Sequence, residues 1–140
     1  MQLDACFNLA MRKSSRLITH FYEERLAPLG IKVGQFSILR AVFLLKETNN
    51  KQLQSVLVLD QTTLSRSIKP LIRDGYIQVV ENEKDRRVKT ISLTSQGEAF
   101  YLQAHPIWEQ AQKDFLEKIG TSQVNNILNL SDKLLEKISY

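Results

Sequence analysis

Through most of the chain apolar residues recur at spacings of three and four, and in one stretch the spacing drops to two. Over residues 1–28, Phe7, Ala10, Met11, Ser14, Leu17, Ile18, Phe21, Tyr22 and Leu26 fall on one stripe, with Arg12, Lys13, Arg16, Glu23 and Glu24 mostly between them. That pattern predicts a long amphipathic helix. Pro28 and Gly30 end it, since proline disfavours helical geometry in the residue before it. A second helix is predicted over Val33–Lys46, apolar around most of its girth and therefore lying under other elements. Thr48-Asn49-Asn50 is a polar break with cap chemistry.

A short helix follows over Lys51–Leu57, then a turn at Val58-Leu59, then a helix over Gln61–Asp74 with Asp60 as N-cap and Gly75 as its stop. Here the period changes. Tyr76–Glu81 reads as a strand with Ile77 and Val79 on one face, and Val88–Leu93 as its partner with Ile91 and Leu93 inward. Asn82–Arg87 forms a polar hairpin tip between them. Thr94 or Ser95 caps a last helical region, with Ser95 and Glu98 at capping-box spacing. That region is expected to kink or break near His105-Pro106 and to end at Ile119. After Gly120-Thr121-Ser122, the stripe Val124, Ile127, Leu128, Leu130, Leu134, Leu135 and Ile138 predicts a final helix.

Composition narrows the class. With 140 residues and 43% hydrophobic residues the chain can bury a core unaided. Its longest apolar run, Ala41–Leu45, is far too short to span a bilayer, and no basic start with an apolar stretch suggests a secretory signal. A cytoplasmic globular protein is expected. One cysteine excludes an internal disulfide framework or a thiolate zinc cluster. His20 and His105 lie far apart, without acidic or thiolate neighbours at ligand spacing, so no metal is expected. No phosphate loop, nucleophile elbow or triad pattern occurs, so neither catalysis nor a cofactor is indicated. Phe100, Trp108 and Phe115 read as dimer core, or as lining for an effector pocket.

The net charge of +4 says little until it is placed. Residues 1–50 carry 7 basic and 4 acidic side chains, residues 51–90 carry 8 and 5, and residues 91–140 carry 4 and 6. A basic body with a mildly acidic tail suits a nucleic-acid surface joined to an assembly element. The helix Gln61–Asp74 concentrates that signal. At 100° per residue, Thr62, Ser65, Arg66, Lys69 and Arg73 fall on one stripe, opposite Leu64, Ile68, Leu71 and Ile72. Cations neutralise phosphates, and Thr, Ser and Arg also reach base edges in a major groove. Taken alone, such a stripe is equally an ordinary solvated face. Here a short helix, a tight turn and the polar-faced helix form a helix-turn-helix, and a basic hairpin follows at once. Lys84, Arg86, Arg87 and Lys89 would extend beside the recognition helix as a wing. Asp85 is placed to hold Arg87 in one direction, which suits a narrow minor groove.

These residues resemble the MarR-type (multiple-antibiotic-resistance regulator) winged helix-turn-helix transcription factors. The matching pieces are Leu29-Gly30-Ile31 with Gln35-Phe36 and Leu39; Leu59-Asp60-Gln61-Thr62-Thr63-Leu64-Ser65-Arg66; Leu71-Ile72-Arg73-Asp74-Gly75-Tyr76-Ile77; Asp85-Arg86-Arg87; and Ile91-Ser92-Leu93-Thr94-Ser95-Gln96-Gly97. They stand in the expected order over nearly the whole chain. The resemblance implies a mainly α fold with a small β-hairpin wing, as one domain over residues 1–140. Residues 31–94 would form the DNA-binding lobe, and residues 1–30 and 95–140 the dimerisation helices. It also implies a homodimer on a pseudo-palindromic double-stranded operator, with Thr62, Thr63, Ser65, Arg66 and Lys69 in the major groove and Arg86 or Arg87 in the minor groove. Repression relieved by a small molecule or an oxidant is the implied mode of action.

Cys6-Phe7-x-Leu9 resembles the peroxidatic segment of the hydroperoxide-sensing branch of that family. The branch relies on tyrosines four and fourteen residues after the cysteine, where this chain has Ala10 and His20. Cys6 thus stands either as a redox sensor or as a small core residue. A winged-helix protein-interaction module without DNA binding is the rival from another class, and retention of Arg66, Lys69, Arg86 and Arg87 argues against it.

Overall fold

A computed structural model describes residues 5–138. Six helices and a two-stranded antiparallel ribbon are laid out as α1 (Phe7–Leu26), α2 (Val33–Leu45), α3 (Asn50–Leu57), α4 (Gln61–Arg73), β1 (Ile77–Glu81), β2 (Lys89–Leu93), α5 (Ser95–Ile119) and α6 (Thr121–Ile138). The fold is mainly α with a small hairpin. A 3₁₀ turn at Ala27–Leu29 carries Pro28 and ends α1, and the chain bends by 77° into α2. Among the described residues no single helix is long and apolar enough to cross a membrane.

α2 is the centre. It touches α1, α3, α4, α5 and β2, which is why its apolar residues run around most of its circumference. Phe36, Ile38, Leu39 and Val42 are buried there with Leu26, Leu53, Leu64, Ile77 and Ile91 from the surrounding elements. Tyr101 of α5 stacks on Phe36 at 5.6 Å and meets Phe43 at 4.5 Å. α2 does begin at Val33: Gln35 accepts a hydrogen bond from the Lys32 amide at 3.1 Å and does the work of a capping side chain.

Phe100 and Trp108 are partly buried against the protomer's own core, Phe100 on Tyr76 and Trp108 on Phe36. Val79 lies on the expected face of β1 and is nonetheless 39% exposed, whereas Ile72, expected on the packing side of α4 and also 39% exposed, stands seven residues from Ser65 and so at the margin of the polar stripe. α5 is not broken at Pro106. The carbonyl that Pro106 leaves without an amide partner belongs to Leu102, and both residues lie on the exposed side of the helix. α6 starts at Thr121, directly after Gly120. The histidines do have acidic neighbours: His20 lies 3.0 Å from Glu24 and His105 lies 3.6 Å from Glu109, each one helical turn on. Still, no cluster of three metal-binding side chains occurs among the described residues.

Candidate nucleic-acid interface

The helix-turn-helix is built by two caps and one strained turn. Asn49 caps α3, its Oδ1 accepting from the Gln52 amide at 2.9 Å. Val58 then takes the left-handed conformation at φ 54°, and the Leu59 amide donates back to the Gln54 carbonyl at 2.9 Å. Asp60 opens α4, accepting from the Thr63 amide at 2.7 Å. Hydrogen bonds from the Thr63 amide and hydroxyl, with Arg66 nearby, hold the Asp60 carboxyl below its ordinary range. Gln54 Nε2 donates to Gln61 Oε1 at 2.6 Å and ties the two helices across the turn.

This frame buries Leu64, Ile68 and Leu71 and turns the other side of α4 outward. Thr62, Arg66, Lys69 and Arg73 are exposed and Ser65 is half-buried. Together with Gln61 and Pro70 these five residues line one shallow hollow on the outer face of α4. Thr63 is exposed but lies off the hollow, and its amide is committed to Asp60. Arg73 Nε sits 3.1 Å from Asp74 Oδ1, so part of its charge is met within the chain.

Across the ribbon, Ile77 pairs with Leu93 and Glu81 with Lys89. At the tip Asn82 Oδ1 accepts from the amides of Lys84 at 2.8 Å and Asp85 at 3.3 Å, an Asx turn that sets the loop. Asp85 then grips Arg87: Nε lies 3.1 Å from Oδ1, Nη2 lies 3.2 Å from Oδ2, and the Arg87 amide donates to Oδ1 at 3.0 Å. These bonds hold the Asp85 carboxyl below its ordinary range. The Arg87 side chain remains 91% exposed, a cation held in one direction and offered to solvent. Lys84, Arg86 and Lys89 are exposed around it.

The ribbon has a third edge that local pattern does not reveal. The buried Thr48, ahead of α3, exchanges both backbone hydrogen bonds with Ile91, at 2.9 and 2.7 Å. That bridge carries β2 to the start of α3, so Asn50 and Lys51 share a polar hollow with Arg87 and Lys89. Gln61, Asn50 and Lys51 thus join the pattern-derived residues. Gln61 precedes the α4 stripe and is off it by helical period, and Lys51 reaches the wing only through the tertiary bridge.

Cys6 lies elsewhere, exposed at the head of α1, so it is not a core residue of the protomer.

A family model described as a winged helix DNA-binding domain matches residues 33–97, from α2 to the first turn of α5. The multiple antibiotic resistance protein MarR of Escherichia coli is 24% identical over 134 residues, covering 95% of this chain and 90% of that protein. The HTH-type transcriptional regulator SarZ of Staphylococcus aureus is 30% identical over 125 residues, covering 86% and 82%. The chain belongs to the MarR-type family of winged-helix transcriptional regulators. Among solved structures, the M. tuberculosis transcriptional regulator MOSR in complex with DNA matches with a TM-score of 0.78 at 28% identity, over 91% of this chain and 95% of that one. MarR-type proteins are DNA-binding regulators rather than enzymes, in accord with a site made of cations, hydroxyls and amides.

Proposed function

We propose that this MarR-type chain acts as a homodimeric, sequence-specific DNA-binding repressor. In this reading the lobe over residues 31–94 presents α4 to the major groove of each half of a pseudo-palindromic operator. Thr62, Ser65 and Arg66 read base edges, while Lys69 and Arg73 neutralise phosphates. Thr63, at the amino end of α4, stands by the phosphate strand. Arg87, gripped by Asp85, enters the flanking minor groove, with Lys84, Arg86 and Lys89 along its walls. The observation that carries this reading is the exposed polar stripe of α4 together with a wing arginine that Asp85 holds through two side-chain hydrogen bonds.

The dimer follows from α1, α5 and α6. Met11, Leu17, Ile18, Phe115, Ile127 and Leu134 line an apolar groove between them. Every described residue of α6 except the half-buried Val124 is exposed, including Leu128, Leu130, Leu135 and Ile138. A helix with so continuous an apolar stripe needs a covering partner, and a second copy supplies a self-complementary one. Residues 1–30 and 95–140 are the dimerisation elements in this account.

An effector that binds better to a different spacing of the two lobes would shift the dimer away from the operator. The second kind of signal in this reading is an oxidant acting at Cys6. Release by hydroperoxide in the wild type and not in Cys6→Ser would support that, and equal release in both would refute it.

Selection from a random DNA pool tests the function itself. A pseudo-palindrome whose binding falls steeply with salt is the expected result. Failure to enrich any sequence, or salt-insensitive binding, would favour a winged-helix interaction module.

A further inference from the structure

We propose that Thr94 and Gly97, in the first turn of α5, are positioning residues that fix the direction of the recognition helix relative to α5. Through that link they would set the spacing between the two recognition helices of the dimer. The inference rests on the dimeric operator reading above.

The geometry begins at the carboxyl end of α4. The Gly75 amide donates to the Ile72 carbonyl at 3.1 Å and the Tyr76 amide to the Leu71 carbonyl at 2.9 Å, a Schellman ending with Gly75 at φ 83°. Tyr76 is therefore an extension of α4 rather than a free loop residue. Its carbonyl in turn accepts from the Thr94 amide at 3.1 Å. The Thr94 hydroxyl works in both directions: it donates to the Gly75 carbonyl and accepts from the Gly97 amide at 2.9 Å, where it serves as the N-cap of α5. One side chain thus joins the turn that follows α4 to the start of α5.

Gly97 makes the fit close. It is buried, and a Cβ placed on it would overlap the Tyr76 backbone, lying 2.7 Å from the carbonyl carbon. No flexible side-chain end is available there to give way. Outside this contact the Tyr76 ring stacks on Phe100 of α5 at 4.5 Å and 19°. Backbone, hydroxyl and ring contacts all tie the end of α4 to α5, so a rotation of α5 carries α4 with it. α5 then runs for 25 residues to α6, a lever of roughly 37 Å at 1.5 Å per residue. Small angular changes at the joint become displacements that matter on a duplex whose half-sites recur about every 34–36 Å.

The test uses duplexes built from the sequence the wild-type dimer selects, with half-site separations varied in single base-pair steps, and a duplex carrying one half-site. Thr94→Ser keeps the hydroxyl, Thr94→Val removes it at constant shape, and Gly97→Ala adds the overlapping methyl. Dimerisation and folding are checked by sedimentation and circular dichroism. Wild type and Thr94→Ser should share one narrow spacing optimum. Thr94→Val and Gly97→Ala should bind the wild-type spacing about tenfold or more weakly, with a broadened or moved optimum, while half-site affinity stays within about twofold. Parallel loss on half-site and full site, or an unchanged spacing profile in folded variants, would overturn the proposal. Should Gly97→Ala fail to fold, Thr94→Val against Thr94→Ser decides alone. A wild type without any spacing preference would instead refute the dimeric operator reading, and this inference with it.

Discussion

Asp85 and Arg87 are joined by two parallel side-chain hydrogen bonds, at 3.1 and 3.2 Å, and by a third from the Arg87 amide at 3.0 Å. The pair is solvent-facing, so its value lies in direction rather than in stability. In Asp85→Asn the grip is lost, but so is a negative charge that repels phosphates. Binding to scrambled DNA should therefore rise slightly while operator binding falls. The ratio between them should drop by about tenfold in parallel anisotropy titrations at one salt concentration. If both affinities rose together, Asp85 would be acting only as a charge.

The pH dependence has a definite sign. The folded-state carboxyls of Asp85 and Asp60 titrate below their ordinary value because hydrogen bonds from Arg87 and Thr63 favour the charged form. A depressed carboxyl contributes fully above the unfolded value, about 3.9, and its contribution is lost as pH falls through the lowered folded value. As far as these carboxylates are concerned, operator affinity and melting temperature should be flat from about pH 8 to pH 5. A break near pH 6–7 in either profile would assign the dependence to a histidine instead.

Val58 holds a left-handed backbone that β-branched residues rarely adopt, and it is 41% exposed. Val58→Gly should relieve more strain than it costs in chain entropy, a net gain of about 1 kcal/mol or ~3 °C in Tm. Calorimetry on the purified dimer measures this. A lowered Tm would mean that the valine's packing outweighs the strain.

Ile127 and Leu134 line the groove between α1, α5 and α6. Glutamate at both positions should leave the lobe folded, with near-native circular dichroism, and convert the dimer to a monomer in sedimentation. Operator binding should weaken by at least about a hundredfold, since each lobe would bind without the effective concentration supplied by its twin. A double variant that stays dimeric would place the interface elsewhere.

Much of this architecture is written locally. The α4 stripe is legible because a helix embedded on one side must alternate every three to four residues, and the sequence does so from Thr62 to Arg73. Asp60 and Thr94 are readable as caps because their side chains answer amides three residues on. What periodicity cannot report is depth. Val79 sits on the expected face of β1 and still reaches solvent, whereas Phe100 and Trp108 are partly buried against the protomer's core. Pairing across long separations is equally hidden. The bridge from Thr48 to Ile91 sets Lys51 beside the wing, and Gly97 owes its lack of a side chain to the Tyr76 backbone twenty-one residues earlier. Nor does pattern separate a tolerated proline from a breaking one. Pro106 passes inside α5 with both it and Leu102, whose carbonyl loses its amide partner, on the exposed side of the helix.

The central claim, that the α4 stripe and the anchored wing arginine bind operator DNA, is tested most directly by one set of salt-controlled anisotropy titrations. Wild type, Arg66→Ala and Arg87→Ala are measured against the selected operator and a scrambled duplex. Arg87→Ala should weaken operator binding by about tenfold or more, and Arg66→Ala should weaken it and relax sequence preference, each with a shallower salt dependence. Unchanged operator affinity in both variants would contradict the account.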